Sequence, residues 1–577
     1  MDHFTTRNIT HLYNSMISST LPSVMEKPTV TLGVDLGTTY TIVSFWNPET
    51  CKLESLDPFR SSAQFVNGKE NACVTNQTRG VALCPKRLIG KKFVPSGKYS
   101  PIIYGLEVCD VKVGSGNGQS YDRYVPGYVV PGKPEKKVAA TYVDTLILKH
   151  VKSAVEKKLG DKYKANRVVI TIPVAFSWEQ KMETYRAAVE AGFTDVSLQQ
   201  EPVMAAYHYC TEKGLTNKTI LVYDFGGGTF DVCLVRFENN CFTILNFDGD
   251  EYLGGEDITN SIAELIEESL SCIYKGWKTT CTPNQRASIE NAIRQKSEEI
   301  KRSLTSLETI TINARCFSFK WNAEFTVDMH NTNIIQLVDQ SLKITHSLLN
   351  GESVDLVLLA GGTSDSSIVR NQLKKEFHDK LKTDVDPKSC VSMGAAKFGH
   401  ENPEFKVVDG QVMVYKVLGK SIGCKTKNGN KYIANKGDTL PKEGVLKFQL
   451  TKDDDGIYTK LIEGENVIKN LNIKLDKVYP KDTQFQLKLK ISEDLLIYYE
   501  VVNLDTNKVI FDLGMVQLGS DWGCLLRIPF WRDSYTLWLC LHSAENEVGK
   551  LRLLRKSRMQ ARIRNKPSPS LHRSDRF

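Results

Sequence analysis

Gly33-Val-Asp-Leu-Gly-Thr-Thr-Tyr40 and Asp224-Phe-Gly-Gly-Gly-Thr-Phe-Asp231 are two versions of one short pattern, about 190 residues apart. Each follows a β-branched, apolar run (Thr29 to Val34; Thr219 to Tyr223), and each returns to strand-like sequence (Tyr40 to Trp46; Phe230 to Val235). An Asp, a glycine cluster and a hydroxyl between two strands read as a hairpin. Its tip exposes backbone N–H groups and Thr hydroxyls beside a carboxylate. Two such tips can grip one polyphosphate from both sides, and the repeated order of Asp, Gly and Thr separates this pair from a chance glycine-rich turn.

The 577 residues exceed what one core can organise and imply roughly three or four domains. With 41% hydrophobic and 25% charged residues the composition is that of an ordinary soluble protein. No stretch approaches about 18 consecutive apolar residues, so no membrane span is expected. Residues 1–28 carry Asp2 and lack an apolar h-region, which reads as a loose extension and not a signal peptide. The fourteen cysteines contain no Cys-x-x-Cys pair and read as reduced thiols of a cytoplasmic protein. The net charge of +8 is local: from Lys550 onward ten Lys/Arg face one acid, Asp575, leaving the remainder close to neutral. Such a tail can touch RNA, membrane or acidic proteins, or simply be solvated. Nucleic acid is thus expected as a partner only if that tail acts.

From about residue 29 to 403 strands alternate with helices. Strand-like runs include Arg167 to Ile172 and Val354 to Leu359. Helical periodicity marks Ala139 to Leu159, Glu179 to Ala191, Ile258 to Tyr274, Asn284 to Ser306 and Ile334 to Asn350. This is an α/β region, and the repeated hairpin implies two related lobes. The pattern breaks at 404–417, around Asp409-Gly410 and the apolar run Val412 to Tyr415. Short alternating segments follow over 418–520, such as Gln484 to Ile491 and Leu496 to Val502, and predict an all-β module. Residues 521–577 hold Trp522, Trp531 and Trp538, a small apolar core or a binding patch, and then the basic tail.

A nucleoside triphosphate brings roughly four negative charges and a magnesium ion. It demands N–H donors and hydroxyls for phosphate oxygens, carboxylates for a hydrated metal, and a cation for the γ-phosphate. Asp35 and Asp224, one per hairpin, suit the metal's water shell. Thr38, Thr39 and Thr229 supply hydroxyls, and Gly37 and Gly226 to Gly228 let backbone approach phosphate without a Cβ. A third segment, Leu358-Leu-Ala-Gly-Gly-Thr-Ser-Asp365, joins a strand to a helix near Ile368 to Phe377, so that its Gly pair can lie against a nucleoside or phosphate.

In this order the motifs resemble the seventy-kilodalton heat-shock chaperone (DnaK-type, heat-shock protein 70) family. The likeness runs from about Thr29 to Gly399 and more faintly to about Gly519. It includes Lys86-Arg-Leu-Ile-Gly90, Ile172-Pro173, Glu201-Pro202, Leu253-Gly-Gly-Glu-Asp257, Glu298-Glu-Ile-Lys-Arg302 and Gly394-Ala-Ala396. The resemblance implies an actin-like two-lobed ATPase domain (a duplicated ribonuclease H-like α/β fold) over 29–403, an interdomain linker over 404–417 and an all-β sandwich of the peptide-binding kind over 418–520. It also implies ATP/ADP and Mg2+ as cofactors. Lys86 would reach the γ-phosphate and attacking water, Glu201 would orient that water or the metal shell, and Asp224 would accept the proton. Asp35 and Asp224 would hold the metal through water. Gly37, Thr38, Thr39, Tyr40, Gly226, Gly227, Gly228, Thr229 and Gly255 would cradle phosphate. Glu298, Lys301, Arg302 and Thr305 would line the adenosine pocket, with Gly361, Gly362 and Thr363 beneath the sugar and phosphates and Asp365 at the adenine.

Departures from the family pattern bear on affinity and coupling. Asp365 stands where an Arg usually stacks on adenine, a loss of roughly 1–2 kcal/mol, so an Arg restored there is expected to tighten nucleotide binding. Lys388, after Asp386-Pro387, replaces an acid, Lys181 replaces an Arg and loses its bidentate fork, and the linker over Gln411 to Val417 keeps apolar character without its flanking acids. No helical lid and no acidic C-terminal motif are recognisable.

The expected function is that of a divergent cytoplasmic ATP-dependent chaperone that grips and releases unfolded or extended apolar peptide. A J-domain co-chaperone and a nucleotide-exchange factor are its implied partners. The competing reading is a non-cycling nucleotide-binding partner of the exchange-factor, ribosome-associated or viral-homologue type. A sugar kinase of the same superfamily is disfavoured, because nothing supplies a sugar domain.

Overall fold

Two mixed sheets repeat one topology. In the first, the strands run in the order Asp195–Gln200, Lys164–Ile172, Thr29–Leu36, Tyr40–Asn47, Lys52–Ser55. In the second they run Leu381–Lys382, Leu356–Ala360, Lys218–Phe225, Phe230–Glu238, Cys241–Asp250. In both, the central strand pairs parallel on one side and, through the glycine hairpin, antiparallel on the other. The computed structural model describes residues 27–515 apart from 67, 75–79, 96–98, 100, 114–122, 304–308, 317–318, 403–412, 427–428 and 493–496. Residues 1–518 cluster as one unit and 519–577 as another. The three tryptophans, the basic tail, nearly all of the N-terminal extension and most of the expected linker lie outside the described residues.

Each central strand is apolar on both faces because both are covered. Leu221, Tyr223 and Phe225 point into a core shared with the Gly255–Ile273, Pro283–Ser303, Val327–Leu349 and Ser367–Phe377 helices. The alternate residues Ile220 and Val222 join a second core with the Glu201–Lys213 and Cys390–Glu401 helices. Val169 of the first sheet enters that same core, so these two helices lie between the sheets. Their crossing is close: a Cβ on Gly394 would overlap the Met204 carbonyl. The outer face of the first sheet is covered by the Ala140–Leu159 helix, through Val143, Ile147, Leu148 and Val151.

Beyond the α/β region, two four-stranded antiparallel sheets form a sandwich. One is ordered Gly429–Ala434, Ile422–Thr426, Asp454–Glu463, Asn466–Tyr479. The other is ordered Lys442–Gln449, Gln484–Ile491, Ile497–Asn503, Lys508–Met515. Alternation in Gln484–Ile491 puts Phe485, Leu487, Leu489 and Ile491 inside.

The sandwich is docked on the α/β region. The apolar run noted before it forms a short strand, Met413–Tyr415, parallel to Cys241–Asp250 at the edge of the second sheet. Gln200 Nε2 donates to the Val417 carbonyl (3.2 Å). Trp178, 2% exposed, is part of the sandwich core although it opens the Trp178–Glu190 helix of the first lobe. Its backbone N–H donates to both oxygens of Glu463 (2.9 and 3.1 Å). That helix begins one residue before its expected start because Ser177 and Gln180 form a capping box, each accepting from the other's backbone N–H. Lys181 is buried in the same contact, where burial lowers its ammonium to about 8 in spite of Glu463.

Candidate functional site

The two hairpin tips meet. Pairing ends at Leu36↔Thr41 in one and Phe225↔Phe230 in the other, leaving 37–40 and 226–229 as the tips. A Cβ on Gly227 or Gly228 would collide with the side chains of Thr39 and Thr38, so glycine is what lets the second tip lie against the first. A second glycine turn locks onto this contact: Gly255 N donates to Gly226 O (3.1 Å) and Glu256 N to Gly227 O (2.6 Å). Thr363 Oγ1 donates to Gly226 O (2.8 Å), and Phe225 N to Ser364 Oγ (3.2 Å), bringing the third glycine segment to the same place. All three segments singled out in the sequence therefore converge.

Lys86 and Glu201, 115 residues apart in the sequence, are brought into contact. Lys86 sits in the short 3-10 turn Pro85–Arg87, set off by Cys84 in the left-handed region (φ 54°). Glu201 opens the Glu201–Lys213 helix, with Pro202 in its first turn and the favourable end of the helix dipole around its carboxylate. Lys86 Nζ donates to Glu201 Oε1 at 2.6 Å, with side-chain exposures of only 10% and 6%.

The electrostatics report a surplus of buried negative charge. Burial, then Glu201, raises Asp35 to about 7, against the opposing pull of Lys86. Burial, then Glu201, also raises Asp231 to about 7. Asp224 is pushed well above the carboxylate range by burial and then by Glu201, Asp35 and Asp231. Burial opposes the Lys86 ammonium, but Glu201 and then Asp35 hold it above its ordinary range. Four carboxylates around one ammonium form an environment that a further cation would neutralise. Among the described residues no three His, Cys, Asp or Glu side chains converge closely enough to bind a metal directly.

Two hydroxyls expected to face phosphate are turned to carboxylates. Thr39 Oγ1 donates to Glu256 Oε1 (2.8 Å) and Thr229 Oγ1 to Asp231 Oδ2 (3.0 Å). The first belongs to a buried node that the sequence reading missed: Glu256 Oε2 accepts from Arg294 (2.6 Å), and Arg60 lies 3.6 Å from Glu256 Oε1 and over the Tyr40 ring. Burial opposes ionisation of Glu256, but Arg294, Arg60 and Lys301 hold it well below the carboxylate range. Arg87 was also missed. Its guanidinium donates to Gly228 O (2.6 Å) and Asp257 Oδ2 (2.7 Å), fastening the second tip to the Gly255–Ile273 helix. Arg87, Glu256 and Asp257 stood inside quoted motifs, and that position was the available signal.

Among the residues expected to line an adenosine pocket, Glu298 pairs with Lys301 (2.7 Å), and Lys301 Nζ donates to Gly255 O (3.1 Å) and Thr259 Oγ1 (2.8 Å). Burial disfavours the Glu298 charge, yet Lys301 brings it down to about 2. Thr305 and the Arg302 side chain lie outside the described residues. Gly361 N donates to Pro387 O (2.9 Å), with Gly362 next to it. Asp365 is not an isolated substitution. Its two oxygens accept from Arg370 and from Lys388, each at 2.6 Å. The two departures at 365 and 388 therefore meet in one ion pair.

The family model for "Hsp70 protein" matches residues 31–477. The chain is 25% identical over 528 residues to a chaperone protein HscA of Buchnera aphidicola, covering 85% of this chain and 81% of that one. It is 26% identical over 479 residues to a heat shock cognate HSP70 protein of Trypanosoma brucei brucei (77% and 68%). It is 24% identical over 503 residues to a chaperone protein DnaK of Mycoplasma mobile (83% and 77%). With this match, the repeated sheet topology and the converging hairpins, the chain belongs to the Hsp70 family.

Proposed function

We propose that the protein is an ATP-dependent chaperone of the Hsp70 type that binds and slowly hydrolyses ATP and couples this to holding an extended apolar peptide in its β-sandwich. The observation that carries the reading is the Lys86–Glu201 pair set among Asp35, Asp224 and Asp231 where the two tips meet. Phosphoryl transfer to water needs positioning and charge stabilisation more than covalent chemistry. Backbone N–H groups of the tips and the Thr38 side chain cradle the β- and γ-phosphates. Lys86 stabilises charge developing on the γ-phosphate, Glu201 orients the attacking water, and Asp224 takes its proton. A Mg2+ ion, held by Asp35 and Asp224 through water, would supply charge neutralisation on the phosphates. Glu298, Lys301 and the 361–363 turn place the nucleoside. Co-chaperones of the J-domain and exchange-factor classes and a cytoplasmic location go with this reading. No described helix is long and apolar enough to cross a membrane.

One observation favours a second reading, a non-cycling nucleotide-binding partner. Trp178 is buried in the sandwich core, and such an anchor resists undocking. Lys86→Ala tests the first reading. It removes a transition-state cation from an intact cradle, so hydrolysis is lost while ATP binding by calorimetry is kept. Wild-type turnover in that variant would remove the assignment.

A further inference from the structure

Asp144 lies in the Ala140–Leu159 helix, 1% exposed, and neither carboxylate oxygen has a hydrogen-bond partner. A buried carboxylate without a partner is costly, so it signals a constraint beyond packing. It faces a narrow gap, too small to hold a water molecule, lined also by Leu36, Lys86, Thr171, Phe176 and Thr184. The hydroxyls around it are committed elsewhere. Thr171 Oγ1 donates to Val34 O (3.4 Å), Thr184 Oγ1 to Gln180 O (2.8 Å) and Tyr128 OH to Leu83 O (2.7 Å). On its own helix, Thr141 Oγ1 donates to Glu183 (2.7 Å) and Thr145 Oγ1 to the Thr141 carbonyl (3.0 Å).

The remaining donor on the wall of the gap is the Lys86 ammonium, which has three N–H groups and gives one to Glu201. Among ionisable groups packed around Asp144, Glu183 and Glu190 of the Trp178–Glu190 helix are turned to Thr141 and Thr145. Tyr128 is held protonated by burial, and Lys86 is the cation. Burial raises the Asp144 carboxyl to about 8 against the pull of Lys86.

We propose that Asp144 is a positioning residue for the hydrolysis step: protonated, it leaves the Lys86 ammonium with Glu201 and the γ-phosphate; ionised, it draws Lys86 back across the gap as a competing acceptor. One proton passes between Asp144 and solvent, and no bond of the nucleotide is involved. The inference rests on the ATPase reading above for its effect on turnover, and on the gap alone for the coupling between Asp144 and Lys86.

Single-turnover ATP hydrolysis by the full chain, with ATP affinity measured alongside, tests it between about pH 6.5 and 9.5 for wild type and Asp144→Asn. The expected wild-type rate constant falls toward tenfold per pH unit above about 8 with little change in affinity, and Asp144→Asn stays flat there. The same decline in both proteins, or a decline carried by affinity, overturns the proposal. Thermal melts without nucleotide keep the two readings apart. Wild type, Asp144→Asn, Lys86→Met and the double variant are compared, with Asp144→Ser as a second neutral replacement. Shifts in Tm that add at about pH 6.5 and fail to add at about 9.5 support the coupling, and additivity at both pH values overturns it. Absence of turnover at every pH counts against the ATPase reading, and the melts still decide the coupling.

Discussion

Replacing Asp365 by Arg places a guanidinium between Arg370 and Lys388, each of which now donates to that carboxylate at 2.6 Å. The site is about a third exposed (side-chain exposure 36%), so each lost ion pair is worth roughly 0.5–1 kcal/mol. Each new like-charge contact near 4 Å adds about 1 kcal/mol or somewhat more in this wet setting. Together these cost roughly 3–4 kcal/mol. A cation over the adenine face returns only about 1–2 kcal/mol. The single variant Asp365→Arg is therefore expected to bind ADP no better than wild type and to melt at lower temperature. Asp365→Arg combined with Lys388→Asp restores the pair with reversed polarity, and is expected to bind about tenfold more tightly than the single variant, with its Tm recovered. Calorimetric titration with ADP and thermal denaturation of the wild type and the two variants read both quantities. A single variant as tight and as stable as the double would refute the reasoning, because Lys388 would then not be coupled to residue 365.

Two further outcomes follow from the same contacts. Trp178→Ala removes a large side chain from the sandwich core, at a cost of about 3–5 kcal/mol. Scanning calorimetry is expected to resolve separate melting of the α/β region and the sandwich in the variant, and one unshifted transition identical to wild type would show that the tryptophan does not join them. Glu298, held to about 2 by Lys301 against an ordinary 4.5, contributes stability that is present above about 4.5 and lost as pH falls toward 2. Glu298→Gln is expected to lower stability at neutral pH by up to about 3 kcal/mol, with the gap to wild type closing below about pH 4. A gap independent of pH would place the effect in packing alone.

The duplicated hairpins were legible because their chemistry is local. Asp, glycines and Thr follow one another within eight residues, and the flanking apolar runs set strand identity. The Lys86–Glu201 pair became readable only through motif order, since 115 residues separate them. What escaped was built by distant charges meeting in a low-dielectric interior. Glu256 reaches Thr39 across 217 positions and Arg87 reaches Gly228 across 141, and beyond their places inside the quoted motifs nothing local announces these partners. Trp178 was hidden by a one-residue misplacement of its helix start, although the spacing Ser177 to Gln180 of a capping box was present. Asp144 drew no notice in the sequence, because helical periodicity cannot tell a solvated face from a second buried one. Asp365 and Lys388 were seen as two separate losses, and only their contact shows them to be one exchange.

The central claim is that the phosphate cradle and the sandwich work as one machine. Single-turnover hydrolysis of ATP by the full chain, with and without an excess of an extended apolar peptide and with Lys86→Ala as the blank, tests it most directly. The account predicts slow hydrolysis that rises with peptide and is absent in the blank. Tight ATP binding with turnover that ignores peptide, or with no turnover above the blank, would contradict it and leave the non-cycling partner as the better description.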